Sequence, residues 1–180
     1  IAQDEERDQS YLDATAFLVQ RGESDAALDI FRRTLAKSGR SVSEYVKVYA
    51  SLWIIDLTRR SARVPDAGAL AYLRGIAARK VALRPPRAAG WYAELARYAT
   101  GQLDYAGLLA KADTAGKRAE AYFYEAMRRL YHGKRDEAHA LWSKVTETKM
   151  MSFFEYEMAL RYLRTGAPAR PETSDRKETI

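Results

Sequence analysis

The sequence predicts an all-α fold built from a row of antiparallel helix pairs. Apolar residues recur at three- and four-residue spacing along most of the chain, and the alternation typical of β-strands is hard to find. Only five prolines occur in 180 residues, and Pro168 and Pro171 fall in the last thirteen, so the body contains few helix breakers. The pattern Gly-x-x-Asp-x-Ala occurs three times, at 22–27, 101–106 and 133–138. Together these observations predict many helices joined by short, repeated turns.

The first three predicted helices make up the amino-terminal third of the chain. The helix at 4–20 opens with acidic residues, which suit the positive end of a helix dipole. Gly22 separates it from the helix at 24–37, and Gly39 can end that second helix. The helix at 43–60 is apolar over more than one face, so we expect it to lie at the centre of the fold.

Turn-forming residues bound the middle helices. Pro65 and Asp66 start a helix at 66–82, and the Pro85-Pro86 pair stops it. The next two predicted helices lie on either side of Gly101, at 88–100 and 104–115.

The last three predicted helices are 117–132, 135–148 and 152–164. The final one begins with Ser152 and Glu155, the spacing of a capping box, in which the two side chains satisfy free amides at a helix start. Residues 165–180 are polar and contain Gly and Pro, so we expect a disordered tail. The predicted organisation is therefore one helical domain at 1–164 and a tail at 165–180.

Packing explains the repeated Gly-x-x-Asp-x-Ala pattern. The glycine permits a sharp turn between two helices, and the aspartate can accept amide hydrogen bonds at the start of the second one. The alanine lets that helix approach its partner closely. Phe31 and Trp142, nine residues after the first and third glycines, are expected to fill the space beneath the next unit. A unit of this kind cannot bury its apolar face alone, which predicts stacking.

A period of about 34 residues made of helix, glycine turn and helix resembles the tetratricopeptide repeat (TPR). The third copy carries the family pattern in Ala126, Gly133, Ala138 and Trp142, whereas Ala110 takes the place of the aromatic residue in the second copy. Residues 119–164 resemble the last repeat and closing helix of the bacterial lipoprotein NlpI group. The resemblance implies a TPR-like α-solenoid of about four antiparallel helix pairs plus a carboxy-terminal closing helix.

In the TPR family the first helix of each pair lines a concave groove that holds a peptide or helix of a partner protein. The matching positions here are apolar or aromatic, which favours an amphipathic helix or apolar peptide over the capture of a terminal carboxylate. The resemblance therefore implies a protein-binding adaptor or scaffold, and the predicted partner-binding residues are Trp91, Leu95, Tyr98, Arg97, Phe123, Met127, Arg128 and Tyr131. Three alternatives stay open for this stripe: it is core, it is covered by the helix at 152–164, or it is covered by a second subunit in a homo-oligomer.

The charge distribution suggests a different function. The net charge is +6, and the segment from Arg59 to Arg87 holds eight basic residues against one acid. Such a segment can dock nucleic acid or an anionic membrane surface. The residues of this alternative patch are Arg59, Arg60, Arg63, Arg79, Lys80, Arg84 and Arg87. Its only aromatic residue is Tyr72, and base-stacking RNA readers need several.

Motifs of catalysis and cofactor binding are missing from the sequence. There is no cysteine, the only histidines are His132 and His139, and no HExxH, GxxxxGK[ST], GxGxxG or GxSxG occurs. We therefore expect no catalytic residues, no metal and no cofactor, and the chain is not expected to be an enzyme.

The start of the chain bears on its location. It begins with Ile1 rather than Met, and residues 4–8 are highly polar, as in a mature form after removal of a leader. We expect the periplasm or the cell envelope rather than the cytoplasm.

Overall fold

A computed structural model describes residues 2–36, 42–61, 63–79 and 87–166 of the chain. This part contains nine α-helices and no strand, which confirms the predicted all-α class. The helices are α1 (Ala2–Arg21), α2 (Ser24–Ala36), α3 (Glu44–Arg60), α4 (Ala67–Ala77), α5 (Arg87–Ala99), α6 (Tyr105–Ala110), α7 (Ala115–Tyr131), α8 (Arg135–Glu147) and α9 (Phe154–Thr165). The predicted tail lies outside the described residues from position 167 onward.

Helices that follow each other in sequence pack against each other. The pairs α1–α2, α3–α4 and α7–α8 are in contact, and α1 also touches α3, which in turn touches α5. The last helix returns to the first one: Gln20 Nε2 donates to Glu157 Oε2 at 2.9 Å, and Arg161 donates to the Gln20 carbonyl. The carboxy-terminal helix therefore lies against the amino-terminal one.

Helix α3 lies at the centre, as its two apolar faces predict. Twelve of its seventeen residues are buried. It contacts α1, α2, α4 and α5 along its length, and Trp53 reaches α9, where its ring centroid lies 4.4 Å from that of Phe154. Both cavities described below are lined on one side by this helix.

The repeated turns have the backbone that the pattern predicts. Gly22, Gly101 and Gly133 have φ values of 75°, 79° and 77°, a left-handed conformation that favours glycine. Asp104 caps α6 by accepting from the Gly107 amide at 2.7 Å, whereas Asp25 forms an ion pair with Arg63 at 2.6 Å.

The alanine of the pattern packs in two of the three copies. Ala27 and Ala138 are fully buried, as are Phe31 and, almost completely, Trp142. Ala106 is exposed, so the expected close approach is wrong in the second copy. Helix α6 has only six residues there and presents this position to solvent.

Two predicted helix boundaries are wrong for identifiable reasons. Helix α6 ends at Ala110 rather than near residue 115, because Thr114 accepts from the Lys117 amide at 3.2 Å and so caps α7. Helix α9 begins at Phe154 without a side-chain cap, so the proposed capping box is not formed. Glu155 is buried instead, and Trp53 and Tyr124 donate hydrogen bonds to it.

Candidate functional site

A cavity of about 500 Å³ lies beside the second half of α3. It is bounded by α3, the α5–α6 turn and α7. Its buried lining is apolar and aromatic apart from Asp56, and the other members are Leu52, Ile55, Tyr124 and Met127. Its exposed lining is charged or polar, made of Arg59, Asp104, Arg128 and His132. An apolar pocket with a few polar groups at its edge is the usual form of a ligand or peptide site.

The structure places half of the predicted partner-binding residues at this cavity. Those that line it are Tyr98, Met127, Arg128 and Tyr131. The others lie elsewhere: Leu95 and Phe123 are fully buried and Trp91 is 7% exposed, so all three belong to the core. Arg97 pairs with Glu94 at 2.7 Å and donates to the Arg79 carbonyl.

One wall of the cavity is held by Glu125, whose side chain has no exposed area. Arg128 donates to both of its oxygens, at 2.7 and 2.9 Å, and Arg129 donates to Oε1 at 2.6 Å. Tyr98 also donates to Oε2. Burial raises the pKa of Glu125, but these hydrogen bonds outweigh it and leave the pKa below its ordinary value. Tyr98 and Arg128 are thus held by an ionised carboxylate, both oxygens of which accept hydrogen bonds.

The opposite wall is held by a buried ion pair on α3. Asp56 and Arg60 approach to 2.9 Å, and their side chains are 6% and 10% exposed. Tyr131 donates to Asp56 Oδ1 and, at 3.1 Å, to its carbonyl. Burial, followed by the Asp56 charge, raises the pKa of Tyr131 well above its ordinary value. Tyr131 is therefore a neutral donor that ties α7 to α3.

Arg59 is the exception among these charged groups. Its guanidinium carbon lies 5.2 Å above the ring centroid of Tyr131. In the part of the chain that the structure describes, no carboxylate oxygen lies within ion-pair distance of it, and its side chain is exposed. It leaves an uncompensated positive charge at the edge of the cavity.

The structure describes the side chains of four residues of the alternative basic patch, and three of these four pair with acids. Arg60 is the buried partner of Asp56, Arg63 pairs with Asp25, and Arg79 pairs with Glu44. Lys80 and Arg84 lie outside the described residues, and so does the side chain of Arg87. Among the remaining members, Arg59 alone has no acidic partner in the described part, and it belongs to the cavity above.

Sequence reasoning missed two buried carboxyl groups, Glu120 on α7 and Glu155 on α9. Tyr49 donates to Glu120 Oε1 at 2.8 Å, and Trp91 donates to its other oxygen. Trp53 and Tyr124 donate to Glu155 Oε1 at 3.3 and 2.7 Å. Burial, and then the charge of Glu155, raises the pKa of Glu120 to about 8, and burial also raises the pKa of Glu155. The four aromatic donors on the neighbouring helix faces were visible in the sequence, but their convergence on two glutamates was not.

The raised pKa of Glu120 predicts a pH dependence of stability. The folded state holds a proton that the unfolded chain releases near pH 4.3, so stability is full below that pH and falls as the pH rises toward about 8. We expect Glu120→Gln to remove most of this loss and to raise the free energy of unfolding at pH 8.5 by roughly 2–4 kcal/mol. Urea unfolding at pH 5 and pH 8.5 measures this change in the free energy of unfolding. Glu147→Gln, at an exposed position on α8, is the matched control. The prediction is ruled out if the free energy of unfolding depends on pH in the same way for the wild type and both variants.

The described residues contain no group of three or more His, Cys, Asp or Glu side chains placed to hold a metal ion. None of the helices described combines the length and the apolar character that crossing a membrane requires. Comparison with family models, with curated proteins and with solved structures finds no match to this chain.

Proposed function

We propose that the chain is a non-catalytic protein-binding adaptor built as a TPR-like solenoid. In this proposal the cavity beside the second half of α3 holds a segment of a partner protein. The observation that carries it is a largely apolar cavity of about 500 Å³ with Arg59 at its edge, where no acid of the described residues pairs with it.

The helix contacts support the solenoid. The first helices of the first three proposed pairs contact each other, α1 with α3 and α3 with α5, and α6 and α8 each touch the helix that follows. Between α5 and α7 the connection is made by side chains, such as the hydrogen bond from Tyr98 to Glu125. Left-handed glycines stand at three of the turns within pairs. The return of α9 to α1 is a departure from an open array.

The lining indicates what kind of segment fits. Leu52, Ile55 and Met127 offer a buried surface for an aliphatic or aromatic side chain. Arg59 offers a positive charge for an acidic neighbour on the same segment, whereas Arg128 is already neutralised by Glu125. The proposed ligand is therefore a peptide, extended or helical, that carries a large apolar residue next to an acid.

Selection from a displayed peptide library tests this proposal. We expect enrichment of peptides with that composition, and we expect Arg59→Glu to weaken the binding of a selected peptide by about tenfold. Arg74→Glu, an equal charge change at an exposed position on α4, is the matched control and should bind as the wild type does. Equal losses in both variants, or enrichment of basic peptides, would contradict the proposed site.

The same proteins distinguish the nucleic-acid or membrane alternative. Docking through residues 59–87 predicts strongly salt-dependent retention on heparin that both charge reversals reduce to a similar extent. The ion pairs of Arg60, Arg63 and Arg79 with acids of the same chain leave less positive charge for such a partner than the sequence suggests. We therefore expect weak retention on heparin at physiological salt.

A further inference from the structure

A second cavity, of about 430 Å³, lies beside the first half of α3. It is an open cavity bounded by α1, α3, the start of α7, and the turn and first residues of α9. Aromatic rings form much of its wall: Tyr45, Tyr49, Trp53, Phe153 and Phe154. The centroids of Tyr49 and Trp53 are 6.2 Å apart, and those of Trp53 and Phe154 are 4.4 Å apart, so these rings form a continuous surface.

The charge of this cavity is opposite to that of the chain as a whole. Its acidic lining residues are Asp13, Glu120, Glu155 and Glu157, and no lysine, arginine or histidine is among the described residues that line it. The complete chain carries a net charge of +6. Negative charge is therefore concentrated at one aromatic-lined position.

The two innermost carboxyl groups have hydrogen-bond donors but no cation. Glu120 and Glu155 are 5% and 3% exposed, and no basic side chain of the described residues lies within ion-pair distance of either. Both side-chain donors to Glu155 reach the same oxygen, Oε1, and no described side chain donates to Oε2. The nearby Lys117 is bound to Asp113 at 2.6 Å. Buried carboxyl groups are either paired with a positive charge or held in the protonated form, and the raised pKa values of Glu120 and Glu155 favour the protonated form until a cation enters the cavity.

Aromatic walls and acidic groups together are the chemistry that recognises organic cations. A ring face attracts an ammonium or guanidinium group within about 6 Å of its centroid, more strongly when water is excluded. A carboxylate in the same space provides a charge-assisted hydrogen bond. At the edge of the cavity, Gln20 and Glu157 bridge α1 and α9 and add one more acidic group.

We propose that this second cavity binds an organic cation, a primary ammonium or guanidinium group on an alkyl chain, between the rings of Tyr49, Trp53 and Phe154 and the carboxylates of Glu120 and Glu155. A bound cation supplies the positive charge that ionised Glu120 and Glu155 need, so these groups release their protons as the cation binds. It arrives either as a free small amine or as the side chain of a lysine or arginine in a protein. The inference is independent of the proposed adaptor function, because Arg59 and the first cavity take no part in it.

Isothermal titration calorimetry with defined probes tests the site. The probes are 1,5-diaminopentane for a free amine, N-acetyl-lysine N-methylamide for a protein side chain, and 1,5-pentanediol as an uncharged molecule of matched length. We expect saturable binding of at least one amine and none of the diol. Whichever amine binds more tightly identifies the source of the cation.

Two isosteric variants locate the binding. Glu155→Gln keeps the shape of the side chain but cannot ionise when a cation binds, so it should weaken amine binding by about tenfold. Glu147→Gln, at an exposed position on α8, should leave binding unchanged. Circular dichroism and urea unfolding verify that both variants are folded. Should the diol bind as well as the amines, should no amine bind at millimolar concentration, or should the two variants behave alike, the proposal is overturned.

Discussion

Replacing Phe123 by alanine is expected to lower the free energy of unfolding by about 3–5 kcal/mol. The ring has no exposed area and packs against Tyr124 and Phe154, with centroids 5.5 and 6.3 Å away. Its removal leaves a cavity between α7 and α9, and partial relaxation around such a cavity does not recover the lost packing. Urea unfolding monitored by circular dichroism measures the loss.

Phe17→Ala provides the comparison for this large effect. Phe17 is 56% exposed on α1, so its truncation should change stability by no more than about 0.5 kcal/mol. Comparison of the two variants shows whether Phe123 is a core residue or a free contact in a groove. If Phe123→Ala cost as little as Phe17→Ala, the ring would be a free groove contact and its placement in the core would be wrong.

The second large effect is expected at Asp56. Asp56→Ala removes the acid that pairs with Arg60, whose side chain is 10% exposed, and it leaves the Tyr131 hydroxyl without its side-chain acceptor. Breaking a buried ion pair from one side costs about 3–5 kcal/mol, because the remaining charge stays buried without compensation. We expect a loss of that size in urea unfolding.

An exposed ion pair of the same spacing is the control for Asp56. Asp29 and Arg33 are also four residues apart on a helix, but their side chains are 57% and 72% exposed. Asp29→Ala should therefore cost no more than about 0.5 kcal/mol. Replacing Asp56 by leucine together with Arg60 by methionine should recover a large part of the loss, since no charge is then left buried. Equal costs for Asp56→Ala and Asp29→Ala would contradict the buried network.

The order of the helices could be predicted because it depends on local signals. Helical periodicity located all nine helices of the described part, and the glycine pattern located the left-handed turns at Gly22, Gly101 and Gly133. A predicted helix boundary was wrong where the same residue type can either cap a helix or be buried against another one. Glu155 has the spacing of a helix cap, yet it is buried against Trp53 and Tyr124, residues that lie 102 and 31 positions away in sequence.

The candidate sites could be predicted only in part, for a related reason. The stripe on α5 and α7 contains Tyr98, Met127 and Tyr131, which line the first cavity, but also Leu95 and Phe123, which are core. Periodicity identifies an apolar face and does not say what covers it. Here different elements cover the stripe: Phe154 of α9 packs against Phe123, whereas α3 meets α7 through Asp56 and Tyr131, which lie 75 positions apart. Such long-range pairs have no local signature, and the acidic second cavity depends on them entirely.

Site-directed blocking of the first cavity tests whether a segment of a partner protein binds there. The chain has no cysteine, so His132→Cys introduces a single reactive thiol at the exposed edge of that cavity. Glu147→Cys, on an exposed face of α8, is the matched control. Both variants are modified with a bulky maleimide. We expect the affinity for a selected peptide to fall by more than about tenfold in the modified His132→Cys protein and to stay unchanged in the modified Glu147→Cys protein. Full affinity in the modified His132→Cys protein would contradict this expectation.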